Sequence, residues 1–278
     1  MNRTTTLLGL LSLTGLVACD TTAMTNLEAL EALGEANQSS RGEAATGDVI
    51  EISTDFTIGD AVAAAAERIA DFWATQAPCS EVTVELGKVT VDYGTLDDAC
   101  TFEGNTYAGV TEAEVVDTSL GSLEVGHTWT GFTNGEVTVD GGALVTWTGE
   151  DASRRVQTEH TWTDTTDGTT VDVTGDHTQV PLDEEAGWGG WLGGITMDGT
   201  RDWVSDSGDW SLDMTELELR WIDPAPQNGS ITITNPDGKT LDVTYRRIDD
   251  DTIKALLTGL REDKVFHINR IGQMEEVE

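Results

Sequence analysis

After Ser80 the chain consists largely of short segments in which apolar and polar residues alternate, separated by turns that contain glycine. Alternation with a period of two places successive side chains on opposite faces of a β-strand, so each segment has one apolar face to bury. Thr, which favours strands, is abundant in these segments, and proline is rare. The pattern predicts a mainly β fold in which antiparallel strands follow one another as a meander.

Two hairpins illustrate the expected register. A two-residue turn that begins at Gly87 would pair Val84 with Val91. A three-residue loop of Pro, Asp and Gly would pair Ile233 with Leu241. Both pairings leave one face of the hairpin apolar and the other rich in Thr and Asp.

Similar hairpins recur along the chain, but not at a fixed spacing. The sequences GKVTVD, GEVTVD and GGITMD begin at Gly87, Gly135 and Gly193. A solenoid or a propeller needs a constant period. We therefore expect an antiparallel meander that forms a curved sheet, a sandwich or a half-barrel.

The charge balance limits the partners. The chain has 51 Asp and Glu but 15 Lys and Arg, a net charge of −36, which excludes nucleic-acid binding driven by phosphate attraction. Nine Trp residues and 38% hydrophobic residues indicate a folded core rather than a disordered acidic chain. The Asp-rich turns do not match an EF-hand loop, so we expect diffuse cations around the surface rather than an ordered calcium ion.

The first 19 residues have the features of an export signal. Arg3 precedes an apolar run over residues 7–17 that is too short to span a membrane stably. The end of this run and the two residues after it read Leu16-Val17-Ala18-Cys19, which resembles a bacterial lipobox. A lipobox is the motif at which signal peptidase II acts once the cysteine thiol has been diacylated. Ordinary secretion with an odd cysteine is the alternative.

The lipobox resemblance implies a location. Residues 1–18 would be removed as a signal peptide, and palmitate-like acyl chains on Cys19 would anchor the exported protein to a bacterial membrane, at the periplasmic face or the cell surface. The rest of the chain resembles, in composition, acidic Thr- and Trp-rich envelope lipoproteins of some Gram-negative bacteria. That likeness implies no activity.

Composition divides the remaining chain into a spacer and a domain. Residues 19–50 contain few large apolar side chains and are predicted to be a flexible spacer that follows the lipidated cysteine. From Thr57, a capping pattern with Asp60 and apolar residues at helical spacing predict an amphipathic helix over about 57–77. Residues 51–278 are predicted to form a single β-rich domain whose sheet this helix covers.

Cys79 and Cys100 remain once Cys19 is assigned to lipidation. An even pair of cysteines in an exported chain predicts a disulfide. Such a bridge would contribute about 3 kcal/mol through the entropy of the unfolded chain. Two unpaired buried thiols are the alternative.

The Gly-rich segment 179–194 contains Trp188 and Trp191, the candidate ligand contacts of the sequence. Tryptophans on such a loop can stack on a sugar ring, hold a lipid or contact a partner protein. They can equally fold back and cover an open end of the sheet.

The sequence HTWT occurs at His127 and again at His160, and in each hairpin the expected register buries the tryptophan, Trp129 or Trp162. His160 and His177 are expected on one face of one hairpin. Two imidazoles and a carboxylate could bind zinc or copper. Packing at the sheet edge, in contact with water, is the preferred interpretation, and no metal site is predicted.

The sequence contains no G-x-S-x-G, H-E-x-x-H or P-loop motif, so no enzyme activity and no cofactor is expected. The leading hypothesis is a non-enzymatic envelope protein with a structural, adhesion or binding role, whose partner could be an envelope protein. One alternative is a periplasmic carrier of a lipid or other apolar ligand between sheet and helix. Another is a carbohydrate-binding module that uses Trp188 and Trp191.

Overall fold

The alternating segments form the fifteen strands of one antiparallel sheet. The computed structural model describes residues 22–52, 66–67, 70–71, 74, 79–85, 87–102, 105–119, 122–148, 153–183 and 193–277. The strands are β1 (Glu81–Glu85), β2 (Lys88–Asp92), β3 (Cys100–Phe102), β4 (Asn105–Ser119), β5 (Ser122–Thr133), β6 (Val137–Thr148), β7 (Ser153–Asp164), β8 (Thr170–Pro181), β9 (Ile195–Ser205), β10 (Gly208–Leu219), β11 (Asn228–Thr234), β12 (Thr240–Asp249), β13 (Thr252–Thr258), β14 (Lys264–Asn269) and β15 (Met274–Val277). One 3-10 turn, Leu96–Asp98, precedes β3.

Strand order follows chain order. Each strand pairs with the next along the chain, except that β2 pairs with β4 while the short β3 pairs only with β4. Among the described strands, β1 and β15 form the two outer edges, so the sheet is open. The prediction of a mainly β antiparallel meander is confirmed, in the form of a single open sheet.

The register follows the alternation of the sequence. Ile233 pairs with Leu241, as predicted. Val84 pairs with Val89 instead of Val91, because the tight turn lies one residue earlier than predicted, with Gly87 at a φ of 86°. The apolar residues of that hairpin still share one face, since the shift changes the partner of each residue by two positions.

A 27-residue helix, α1 (Asn26–Ile52), packs on β6, β7 and β11. It occupies most of the segment 19–50 that was predicted to be a flexible spacer, and that prediction is wrong for residues 26–50. The residues that face the sheet are small, such as Ala29, Ala32 and Ser39, whereas Leu27 and Leu30 are 75% and 67% exposed. Because Leu27 and Leu30 lie on the outer side of α1 whereas Ile50 is buried, the spacing of its large apolar residues does not mark one buried face.

The start of α1 is fixed by a capping box. The backbone N–H of Glu28 donates to Thr25 Oγ1 at 3.2 Å, and the N–H of Thr25 donates to the Glu28 carboxylate at 2.7 Å. Lys239, on the turn between β11 and β12, also donates to Glu28 at 2.5 Å. Met24 forms a bridge to Leu260 and is fully buried. These contacts attach the helix to one end of the sheet.

Several predicted features fall wholly or partly outside the described residues. The lipobox, including Cys19, lies outside the described residues, and Trp188 and Trp191 also lie outside them. Of the helix predicted over 57–77, only positions 66–67, 70–71 and 74 are described, and these are helical. No described helix combines the length and apolar character needed to cross a bilayer.

The disulfide between Cys79 and Cys100 is present, with the two Cα atoms 5.3 Å apart. Cys100 opens β3 and is buried, so the bridge attaches the chain immediately before β1 to the core. The prediction of this disulfide is confirmed.

Candidate functional site

The inward-facing side chains of the central strands form rows across the sheet, because each residue lies opposite its register partner. One row runs from Trp129 through Gly141, His160 and Val173 to Trp203. The three rings of this row, those of Trp129, His160 and Trp203, are buried. The burial of Trp129 was predicted from the register of its HTWT hairpin. We refer to the side of the sheet that α1 covers as the concave face, and to this part of it as the aromatic half. The members of the aromatic half are Trp129, Phe132, Trp162, Trp203 and Trp210.

The next rows, toward the start of β7 and the end of β8, carry polar side chains that also point inward. Thr158 lies opposite Gly175, which lies opposite Arg201; two rows further, Arg154 lies opposite Gln179. All of these side chains are at most 9% exposed. We call this part the polar half; its members are His127, Arg154, Thr158, His177, Gln179 and Arg201.

Two glycines on the inward face have unusual backbone conformations. Gly141 and Gly199 have φ values of 137° and 147°, which other residues rarely adopt. Each is the register partner of a histidine, His160 and His177 respectively. A ring beside a glycine covers the exposed backbone, which is a recurrent device in curved sheets.

Over the aromatic half, α1 lies in direct contact with the sheet. A Cβ atom at Gly42 would come within 2.6 Å of His160 Nε2 and 2.7 Å of Trp162 Cδ1. Trp203 Nε1 donates to the Glu35 carboxylate at 3.2 Å. The Arg41 guanidinium lies 5.3 Å from the centroid of Trp162 and also pairs with Asp164. A glycine at position 42 therefore permits the close approach.

Over the polar half, charged groups connect helix and sheet. Arg201 pairs with Glu43 and also donates to Ser39 Oγ at 3.5 Å. On the neighbouring strands, Arg154 Nε donates to Gln179 Oε1 at 2.5 Å, and its guanidinium lies 5.0 Å from the centroid of Trp147. Both arginines are thus held in fixed positions inside the protein.

Between the C-terminal part of α1 and strands β7 to β10 lies a cavity of about 860 Å³. It is lined by all members of the polar half except His127, and its apolar part extends to the half-exposed Trp221. The residues that line it are Ser40, Glu43, Ala44, Thr46, Gly47, Ile50, Arg154, Val156, Thr158, His177, Gln179, Ile195, Met197, Arg201, Leu219 and Trp221.

Three buried polar atoms that belong to cavity-lining residues have no hydrogen-bond partner within the described part of the chain. They are Glu43 Oε1, Thr158 Oγ1 and Arg201 Nε. Two of them lie close to Gly175, since a Cβ atom there would be 2.7 Å from Thr158 Oγ1 and 3.3 Å from Glu43 Oε1. Burying such atoms without a partner is costly, so a ligand that bonds them would gain affinity.

Burial keeps the histidines of the concave face neutral. Desolvation, reinforced by the charge of Arg154, lowers the pKa of His127 to about 4. Desolvation also lowers the pKa values of His160 and His177, although the Glu43 carboxylate opposes it. His160 and His177 share the inward face, as predicted. The HTWT histidines, His127 and His160, are buried in the interior rather than packed at the sheet edge in contact with water, as was expected for them. Within the described residues, no three potential metal ligands converge.

The charged residues of this site, Arg154, Arg201 and Glu43, were not predicted from the sequence. A signal for the two arginines was present. Arg201 lies two positions before the buried Trp203, and Arg154 lies eight positions before the buried Trp162, so both had the parity of the inward face. Glu43 had no such signal, because its segment was assigned to a spacer.

No protein-family model matches this sequence, and no curated protein or solved structure matches it. Its function is therefore inferred from the cavity itself.

Proposed function

We propose that this chain is an exported, lipid-anchored bacterial envelope protein that carries a lipid or other apolar ligand between α1 and the sheet. The cavity of about 860 Å³ is the observation that supports the carrier role. Its volume lies within the range of small-molecule sites, roughly 300–1,000 Å³. The anchor is supported by the lipobox at residues 16–19, and Cys19 would bear the acyl chains.

The lining of the cavity suits an apolar chain. Val156, Ile195, Met197 and Leu219 provide a wall of aliphatic and thioether groups beneath the helix. Each methylene group that a ligand transfers from water to such a wall contributes about 0.8 kcal/mol. A chain of several methylenes would therefore bind without any covalent chemistry, which agrees with a non-enzymatic role.

The cavity favours this role over the other two hypotheses. A purely structural or adhesive protein needs an outer surface for its partners and a filled core for its stability. An internal cavity contributes to neither of these. Carbohydrate binding through Trp188 and Trp191 would use residues outside the described part of the chain. Both remain outcomes of the experiment below.

The test blocks the cavity with a side chain. Gly47 lines the cavity, and a Cβ atom there would meet no other atom within 4 Å. Gly47→Phe therefore fills the space without a clash. Gly34 also lies in α1 with nothing within 4 Å of its Cβ position, but it is exposed and outside the cavity. Gly34→Phe is the matched control, since both changes raise helix propensity similarly, by up to about 1 kcal/mol.

Residues 20–278, which include every described residue, would be exported in a bacterial host and analysed by native mass spectrometry. We expect a lipid-sized adduct on the wild type and on Gly34→Phe, its loss on denaturation, and a strongly reduced adduct on Gly47→Phe. A wild-type protein without an adduct that also fails to take up added alkyl ligands would overturn the carrier proposal. The structural role would then be preferred.

A further inference from the structure

We infer that the ligand is an amphiphile with an anionic headgroup, a carboxylate or a phosphate, that enters the cavity headgroup first. The inference rests on the proposed function and assigns the chemistry of its ligand. The arrangement of charge along the cavity, the donors at its inner part and the charge of the remaining surface support it.

Polar and apolar groups occupy different positions along the cavity. Thr158 and Arg201 lie in the innermost row, and Arg154 with Gln179 lies two rows further. At the strand ends the lining becomes apolar, with Ile195 opposite Leu219. Trp221 follows and is 55% exposed, so the cavity reaches solvent on its apolar side. A ligand that satisfies the inner groups must therefore place its polar end inside and its chain toward Trp221.

The inner part of the cavity offers mainly hydrogen-bond donors. Arg154 and Arg201 contribute guanidinium groups, and Thr158 contributes a hydroxyl. Arg201 Nε and Thr158 Oγ1 have no partner among the described residues. Glu43 is the opposing carboxylate: its Oε2 accepts from Arg201, and its Oε1 is a buried acceptor without a partner among the described residues. Two guanidiniums facing one carboxylate favour an anionic headgroup, and arginine matches the geometry of carboxylates and phosphates.

The rest of the molecule discourages anions. The chain has a net charge of −36 and 15 Lys and Arg, two of which are buried in this cavity. Buried charges reduce stability unless they are well paired, so cations placed here are more useful for binding than for folding. An anionic amphiphile would thus be accepted inside the cavity and repelled elsewhere, whereas a cationic amphiphile would adhere to the outer surface.

The experiment compares dodecanoate, dodecyl phosphate, dodecan-1-ol and inorganic phosphate, each below its micellar concentration, by calorimetric titration of residues 20–278. We expect both anionic amphiphiles to bind at least about tenfold more tightly than dodecan-1-ol, because a charge-assisted hydrogen bond adds an affinity of that order. Inorganic phosphate should bind much more weakly than dodecyl phosphate, because it has no chain to bury.

Arg154→Gln should remove most of the preference for the anions while leaving dodecan-1-ol binding unchanged. Arg155→Gln is the matched control, because Arg155 is the next residue of β7, is exposed and pairs with Asp176 on the outer face. It should change neither affinity. Arg154→Lys retains the charge and should keep part of the preference, which provides a second variant if Arg154→Gln folds poorly.

Equal binding of dodecanoate and dodecan-1-ol would overturn the anionic headgroup and leave the carrier role intact. Equal binding of inorganic and dodecyl phosphate would overturn the amphiphile. If no alkyl compound binds, both the anionic-amphiphile inference and the proposed function fail.

The orientation of the ligand is tested by bromine quenching of Trp221, whose fluorescence is identified as the part that is lost in Trp221→Phe. We expect 12-bromododecanoate to quench this fluorescence more strongly than 2-bromododecanoate does. The opposite order would mean that the headgroup lies at the solvent side.

Discussion

The aromatic and polar halves of the concave face lie on the same strands and beneath the same helix, yet they are packed in different ways. Over the aromatic half, α1 approaches so closely that Gly42 leaves no room for a Cβ atom. Over the polar half, a Cβ atom at Gly47 meets nothing within 4 Å, and a cavity separates helix from sheet. The alternation of the sequence builds both halves, so the difference arises from the side chains that it places inward.

The physical reason lies in how each set of side chains fills space. Large rings such as Trp129 and Trp162 are almost completely buried, and side chains of this size can fill an interior without voids. In the polar half, Gly175 and Gly199 contribute no side chain, and the Arg201–Glu43 pair fixes both partners in place. The empty volume is therefore a consequence of glycines and paired charges. This combination is poor for stability and well suited to binding.

The largest expected effect comes from forcing the closed contact open. Gly42→Leu places a side chain where His160 and Trp162 already lie, so α1 must move away from the aromatic half. We expect a loss of about 3 kcal/mol in the free energy of unfolding, measured by urea denaturation. Gly34→Leu, in open space on the same helix, should be neutral or stabilising. Equal stability of the two variants would mean that the close contact does not exist.

The polar half is expected to make the fold sensitive to acid. The pKa of His127 is about 4 in the folded protein and about 6.5 in the unfolded chain. The unfolded state therefore binds more protons as the pH falls below 6.5, and stability is lost progressively until the pH reaches the folded value near 4. Between pH 7 and pH 5 this one group should cost about 2 kcal/mol.

Urea titrations at both pH values check this expectation. His127→Gln should reduce the loss on acidification, whereas His267→Gln, which changes a histidine on β14 outside the polar half, should not. The same pH dependence in His127→Gln as in the wild type would show that this histidine is not buried as described.

The sequence was a good guide to the aromatic half and a poor one to the helix. Periodicity alone indicated the strands and the burial of Trp129 and Trp162, because alternation has the same meaning wherever one face is buried. It failed for α1 because the buried side of that helix consists mainly of small residues such as Ala29, Ala32, Ser39 and Gly42, a composition that also describes spacers. The Thr25-x-x-Glu28 capping box was the local signal available for its start.

The polar half was only partly predictable. Parity could have placed Arg154 on the inward face, because Trp162 on the same strand was assigned there. Arg201 has the same parity as Trp203, whose burial was not predicted. The cavity could not be predicted in this way, because its volume depends on how far α1 lies from the sheet. That distance is set by a contact between Gly42 and His160, which are far apart in sequence and whose meeting no local pattern indicates.

The smallest expected effect compares two arginines that each lie over a tryptophan. Arg41 lies over Trp162 at the edge of the aromatic half, and its side chain is 36% exposed, whereas Arg154 lies over Trp147 and is 4% exposed. Arg41→Gln should cost at most about 1 kcal/mol, and the cost should shrink in high salt, because solvent screens the exposed charge. Dodecanoate binding should be unchanged in this variant. A loss of binding in Arg41→Gln comparable to that in Arg154→Gln would mean that the two halves act as one site, since a cation at the aromatic edge would then control what the polar half accepts.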